Sequence, residues 1–197
     1  DVVTVTASVD TVFSFSITGV ATGTAPFTGD TATTSATTTA TEINFGTLDA
    51  GVLEMVAQQL SVTTNAANGY SVTIQQDGDL RSSSGADINT FVDGDATSTP
   101  KAWQGPAATP GDTDTFGHYG ITSEDHSLSW GGGDPFGAGS ALFVGSFSST
   151  TPLEVFYGSG PTTATTTYVG IKLQISALQE AASDYSNVLT YIATPVF

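Results

Sequence analysis

Residues 2–17 (VVTVTASVDTVFSFSI) place apolar side chains at Val3, Val5, Ala7, Val9, Phe13, Phe15 and Ile17, with mostly Thr and Ser between them. Such period-two alternation belongs to a β-strand with one buried face. The run has no Gly or Pro and one charge, Asp10. Terminal segments are loose unless something holds them, so this strand has two destinations. It pairs within its own domain, bent near Asp10 and Thr11, or it reaches into a neighbouring subunit and completes that subunit's sheet.

The rest of the 197 residues points to an all-β chain. Thr, Val, Phe, Tyr and 22 Gly dominate, while only 11% of residues are charged. That balance suits strands separated by many turns. No run of eighteen apolar residues is present, so no membrane-spanning helix is expected. Nineteen acidic residues face only Arg81, Lys101 and Lys172, a net charge of −16. Nucleic acid and anionic membranes need clustered Lys and Arg, so neither is an expected partner. There is no Cys and therefore no disulfide framework. The opening at Asp1 without Met leads to the expectation of a removed signal peptide and an extracellular or cell-surface location.

Along the chain, residues 1–18 read as the N-terminal strand and 19–41 as a Gly- and Thr-rich linker or edge. Residues 42–197 read as a β-sandwich with a loop-rich insertion at about 77–140. Thr31 to Thr41 contains only Thr, Ala and Ser, which suits an exposed linker or O-linked glycans. Gln59 to Gln75 reads as a hairpin turning at Asn68-Gly69, a pair that favours φ > 0. Strands are also expected at Glu42–Asp49, near Ile88, at Tyr119–Thr122, Leu128–Trp130, Ala141–Phe147 and Leu153–Tyr157. Val169–Ser176 and Tyr185–Ala193 complete the set, with one helical turn over Ala177–Asp184.

Four segments also carry a resemblance: INFGTLDAG (Ile43–Gly51), QQLSVTTNAANGYSVTIQ (Gln58–Gln75), VGIKLQIS (Val169–Ser176) and DYSNVLTYIATPVF (Asp184–Phe197). Their order resembles the immunoglobulin-like secreted subunits of the spore-coat-protein-U and chaperone–usher pilin type. The resemblance implies an Ig-like or jelly-roll sandwich completed by a neighbour's strand, and a structural role. Family members usually carry a disulfide, which this chain cannot form. On this reading Val3, Val5, Ala7, Val9, Phe13 and Phe15 are the donated side chains. The product is a head-to-tail homopolymer, because such a contact does not close.

Other chemistries have weaker signals. Asp77 and Asp79, Asp93 and Asp95, and Asp112 and Asp114 form three Asp-x-Asp pairs in loops, a pattern that offers hard oxygens to calcium, though turn-forming Asp explains them equally. No other cofactor is expected. Trp103, Tyr119 and Trp130 sit in the loop-rich middle, where exposed rings stack on sugars. They support an alternative function, a monomeric carbohydrate-binding adhesin. His118 with Glu124, Asp125 and His126 is a loose metal constellation. Lys172 opposite Asn187 raises an intramolecular amide, but alternation assigns Lys172 to the polar face of its strand. No nucleophile elbow or phosphate loop is present, and catalysis is not expected.

Overall fold

The computed structural model describes residues 3–137 and 141–197. Eleven strands appear among them: β1 (Phe13–Gly19), β2 (Leu53–Thr64), β3 (Tyr70–Gln76), β4 (Leu80–Arg81), β5 (Asp87–Thr90), β6 (Lys101–Ala102), β7 (Gly117–Ser123), β8 (Leu142–Phe143), β9 (Leu153–Gly158), β10 (Thr162–Ile175) and β11 (Leu189–Pro195). Two sheets form a sandwich. One runs β1-β2-β10-β7-β5-β4 and the other β11-β3-β9, with β6 and β8 pairing separately. The all-β sandwich expected from composition is the fold. No helix among the described residues is long and apolar enough to cross a membrane.

The core lies between the sheets. Val56, Leu60 and Val62 of β2, Tyr119 and Ile121 of β7, and Val169 of β10 meet Tyr70, Val72 and Ile74 of β3 and Phe156 of β9. Each buried aliphatic or aromatic side chain contributes about 1.5–3 kcal/mol. The register of β2 against β10 runs unbroken from Val62↔Thr165 to Leu53↔Gln174. A slip of one residue would turn every one of these side chains to the wrong face.

The predicted hairpin is not one. Both neighbours of β2 are taken, β1 on one side and β10 on the other, and β3 pairs instead with β11 and β9. The chain therefore arches from one sheet to the other across 65–69. Alternation was read correctly in both strands, but it cannot say whether two apolar faces lie side by side or face each other across a core. Here they face each other.

The larger sheet is covered on its outer side as well. Val20 and Phe27 pack on Met55 and Ala57, while Phe91, Val92 and Phe143 form another patch with Trp103. Five consecutive residues of β10, Val169–Leu173, are consequently buried, the pattern of a strand sandwiched on both faces. Thus Lys172 is buried, not on a polar face. The Thr-rich tract is not a loose linker either. Thr38 Oγ1 accepts from Val20 N (2.9 Å) and donates to Ala57 O (2.6 Å), and Thr34 Oγ1 donates to Ala21 O (2.6 Å). The insertion at 77–140 supplies β4, β5 and β7 to the larger sheet, because Ile88, Tyr119 and Ile121 are apolar enough to join the core.

Several short elements differ from the sequence reading. Residues 42–49 and 128–130 are irregular, Ala141–Phe147 shrinks to β8, no helical turn forms over 177–184, and the last strand begins at Leu189.

The arch depends on Gly69. Its φ is +79°, and a Cβ there would stand 1.7 Å from the carbonyl oxygen of Gly158. Left-handed backbone costs a residue with a side chain about 1–2 kcal/mol, and the overlap adds to it. Gly69→Ala should lower unfolding free energy by at least about 2 kcal/mol in denaturant titration. Gly78→Ala, at a position with open space around it, should change it far less.

Candidate functional site

Alternation in 2–17 divides at Val12. Phe13, Phe15 and Ile17 belong to β1, paired with Thr64, Val62 and Leu60, and their side chains pack on the core. Phe15 lies 6.5 Å from Tyr191, ring centre to ring centre. Phe13 and Phe15 are therefore part of the chain's own sandwich and are not free to be donated. Val3, Val5 and Val9 differ sharply, at 84%, 87% and 87% exposure; Ala7 is exposed too. Residues 3–12 form no strand. Asn65 clamps the root of this arm: its Oδ1 accepts from Val12 N (2.7 Å) and its Nδ2 donates to Asp10 O (2.7 Å). Single exposed valines are ordinary, but three in alternation on an unpaired extended segment form an apolar stripe.

The second component is a cleft of about 1360 Å³ beside β11. The smaller sheet has three strands against six, and irregular segments complete the cover of Ile88, Ile171 and Leu173, which are 1%, 5% and 1% exposed. Ile17, Ile88, Ile171, Leu173 and Tyr191 line the opening, with residues 40–50 and 176–183 along its margins. Among the described residues β11 has β3 on one side and no strand on the other. Residues 43–48 also lack strand partners, although Ile43, Phe45 and Leu48 lean on the core.

Polar groups at the cleft are left over. Tyr191 Oη and Gln179 Oε1 are buried without a hydrogen-bond partner, and both residues line the cleft. Buried polar groups are nearly always satisfied, so these two stand out among the described residues. Burial also pushes the Tyr191 phenol well above its usual range.

The sugar-binding candidates offer no free ring face, and of the three only Tyr119 borders the cleft. Tyr119 is 2% exposed; its hydroxyl donates to Gln76 Oε1 and accepts from Asn187 Nδ2 (3.2 Å). A ring under the sheet has no face to offer a sugar. Trp103 stacks on Phe91 at 4.8 Å and donates to Gln174 Oε1. Trp130 packs edge-on against Phe136 and donates to Glu154 O. Both are half-buried; Trp103 packs on the patch of Phe91, Val92 and Phe143, and Trp130 packs on the main core.

The Asp pairs do not act as pairs. Asp77 accepts from Val188 N (2.8 Å). Asp93 accepts from Ala107 N (3.3 Å) and faces His118 Nδ1 at 3.0 Å. Asp112 precedes a 3₁₀ turn at Thr113–Thr115 without capping it, and Asp95 lies in the turn after Phe91. His118 is fully buried and meets Gln104 O at 2.8 Å through Nε2, so it does not join His126, which faces Asp134 and Glu124. Asp125 accepts from Ser127 N and Tyr157 N. Among the described residues no three His, Asp or Glu side chains converge closely enough to hold a metal ion.

No family model matches the sequence, and no curated protein matches it at a significant level. The strand pattern of residues 2–17 holds for Phe13–Gly19 and not for residues 3–12, which form no strand. The cleft was not legible in the sequence, because it is created by unequal sheet widths that no local pattern records.

Partial burial first, then the charges of Asp87 and Asp114, holds the Asp79 carboxyl above the usual carboxylate range, with Arg81 opposing. A raised carboxylate pKa favours the native state below the unfolded value and loses that advantage as pH rises. Asp79→Asn should therefore stabilise the protein at pH 7. The gain should vanish below about pH 4, where the wild-type carboxyl is protonated in both states. Thermal melts of the two proteins across that range, with chelator present, check it.

Proposed function

We propose that this chain is the structural subunit of an extracellular filament, a pilus or matrix fibre, in which each arm enters the cleft of the next subunit. The observation that carries the reading is the match between an unpaired apolar arm and an unpaired strand edge over an apolar floor. Residues 3–9 and β11 are each seven residues long, about 23 Å of extended chain at roughly 3.3 Å per residue. Laid beside β11, the arm would give that edge its missing backbone partners. Val3, Val5 and Val9 would turn inward with Ala7. Burying three valines is worth about 4–9 kcal/mol before the cost of ordering the arm.

The arm and cleft are different surfaces of one chain, so their contact is heterologous and propagates as a fibre. Most unpaired edges are protected by charge or Pro against pairing. β11 carries Pro195 at its last position and no charge from Leu189 to Thr194, so nearly its whole length accepts a partner. The Asn65 clamp sets where the arm departs. Of the Thr31–Thr41 tract, Thr34 and Thr38 are buried, which leaves Thr31, Thr33, Ser35, Thr37, Thr39 and Thr41 as exposed hydroxyl residues for glycans.

Negative-stain electron microscopy of the chain beside a version lacking residues 1–11 tests this. Filaments are expected from the first and folded monomers from the second, because the deletion stops short of β1. Val5→Asp should shorten or abolish the filaments while leaving the thermal midpoint of the monomer unchanged. Monomers from both chains at high concentration would sink the reading.

A further inference from the structure

Lys172 is the one cation placed inside the described fold. It lies in the middle of β10, on the outer face of the larger sheet, and is 5% exposed. Its partner is Asp30, from the segment that follows β1; their side chains are 6% and 12% exposed. Lys172 Nζ also stands 4.7 Å from the centre of the Phe143 ring, in a patch built from Phe91, Val92 and Phe143. Asn187, the other candidate, donates to Gly78 O and Tyr119 Oη.

An ordinary ion pair fits this place poorly. Desolvating two charges costs several kcal/mol each unless their hydrogen bonds are complete. An ammonium has three N–H groups to satisfy, and here it faces one carboxyl and an aromatic ring. The carboxyl is held in position through Oδ1, which accepts from Ala32 N (2.9 Å). Oδ2 is buried and accepts no aligned hydrogen bond, although Lys172 Nζ lies against the same carboxyl. An amine held in contact with a fixed carboxyl, shielded from water, is the arrangement for bond formation.

We propose that Lys172 and Asp30 condense into an intramolecular amide. The ammonium passes one proton to the carboxyl, and the freed lone pair attacks Asp30 Cγ. The C–N bond forms and the carboxyl C–O bond breaks. The departing oxygen takes a second proton from nitrogen and leaves as water. No oxidant, metal or external activator enters the balance. Holding the two groups together replaces the activation that amide formation needs in dilute solution, and exclusion of water opposes the reverse step. The product is neutral, so it removes the uncompensated burial of charge. The crosslink ties the segment directly after β1 to the central strand of the sheet, and its formation does not depend on strand donation.

Intact-mass spectrometry of the whole chain, denatured after incubation at neutral pH, is the test. The expected mass is one water below that of the sequence, and digestion should yield a branched peptide joining the Asp30 and Lys172 segments. Lys172→Arg and Asp30→Ala should each restore the mass to that of their own sequences. A native chain at its full sequence mass overturns the proposal and leaves a buried ion pair. So does a water loss that persists in Lys172→Arg, because an Asp-Gly site such as Asp77-Gly78 or Asp93-Gly94 would then account for it. The mass of the native chain decides the matter even if both variants fail to fold.

Discussion

The structure depends on β10 being hydrogen-bonded along both edges and covered on both faces. β2 and β7 flank it through long antiparallel registers. The sandwich core lies on one side and the Phe27 and Phe143 patches on the other. Once β10 is placed, the positions of β2 and β7 follow, and β1 and β5 attach to these in turn. The same double burial forces Lys172 to find a partner indoors. It also explains why segments that read as linker or loop carry Val20, Phe27 and Phe91: they are the second cover of the sheet.

Unequal sheets generate the candidate site. Six strands face three, and irregular segments take over the cover beside the cleft, where Leu173 and Ile88 are each 1% exposed. A fourth strand in the smaller sheet would fill the cleft. The chain has a sequence of the right length and alternation to be that strand, but it is attached to β1 of the other sheet, whose Phe15 lies 6.5 Å from Tyr191 of β11, and it departs from β1 away from the cleft. Intramolecular insertion would require the arm to leave the Asn65 clamp and turn back on itself. Insertion into a second copy asks for neither.

Much of the strand content was legible, because alternation with period two is present in β1, β3, β11 and parts of β2 and β10. Val169, Ile171 and Leu173 announced β10, and Tyr70, Val72 and Ile74 announced β3. What could not be read was the side of a strand on which its neighbour lies. The 65–69 turn has the residues of a hairpin, yet β1 and β10 claim both edges of β2, partners 50 and 100 residues away in sequence. Lys172 misled for a similar reason. Alternation placed it opposite the core, which is correct, but only the path of residues 20–30 and 91–143 shows that this opposite face is dry. Tyr119 looked like a surface ring because Gly and Asp surround it, whereas β7 carries it beneath the smaller sheet.

The arch at Gly69 has a consequence for how the molecule forms. With no hairpin between β2 and β3, the larger sheet begins with contacts between distant segments: Thr64 with Phe13, Gln59 with Tyr168, Leu173 with Tyr119. Closing such long loops costs entropy before any pairing repays it, so folding is slow for a chain of this size. During that interval unpaired strands of many copies are exposed together, and a net charge of −16 keeps them apart by mutual repulsion. The acidic surface thus acts on the unfinished chain, keeping copies apart until their strands are paired.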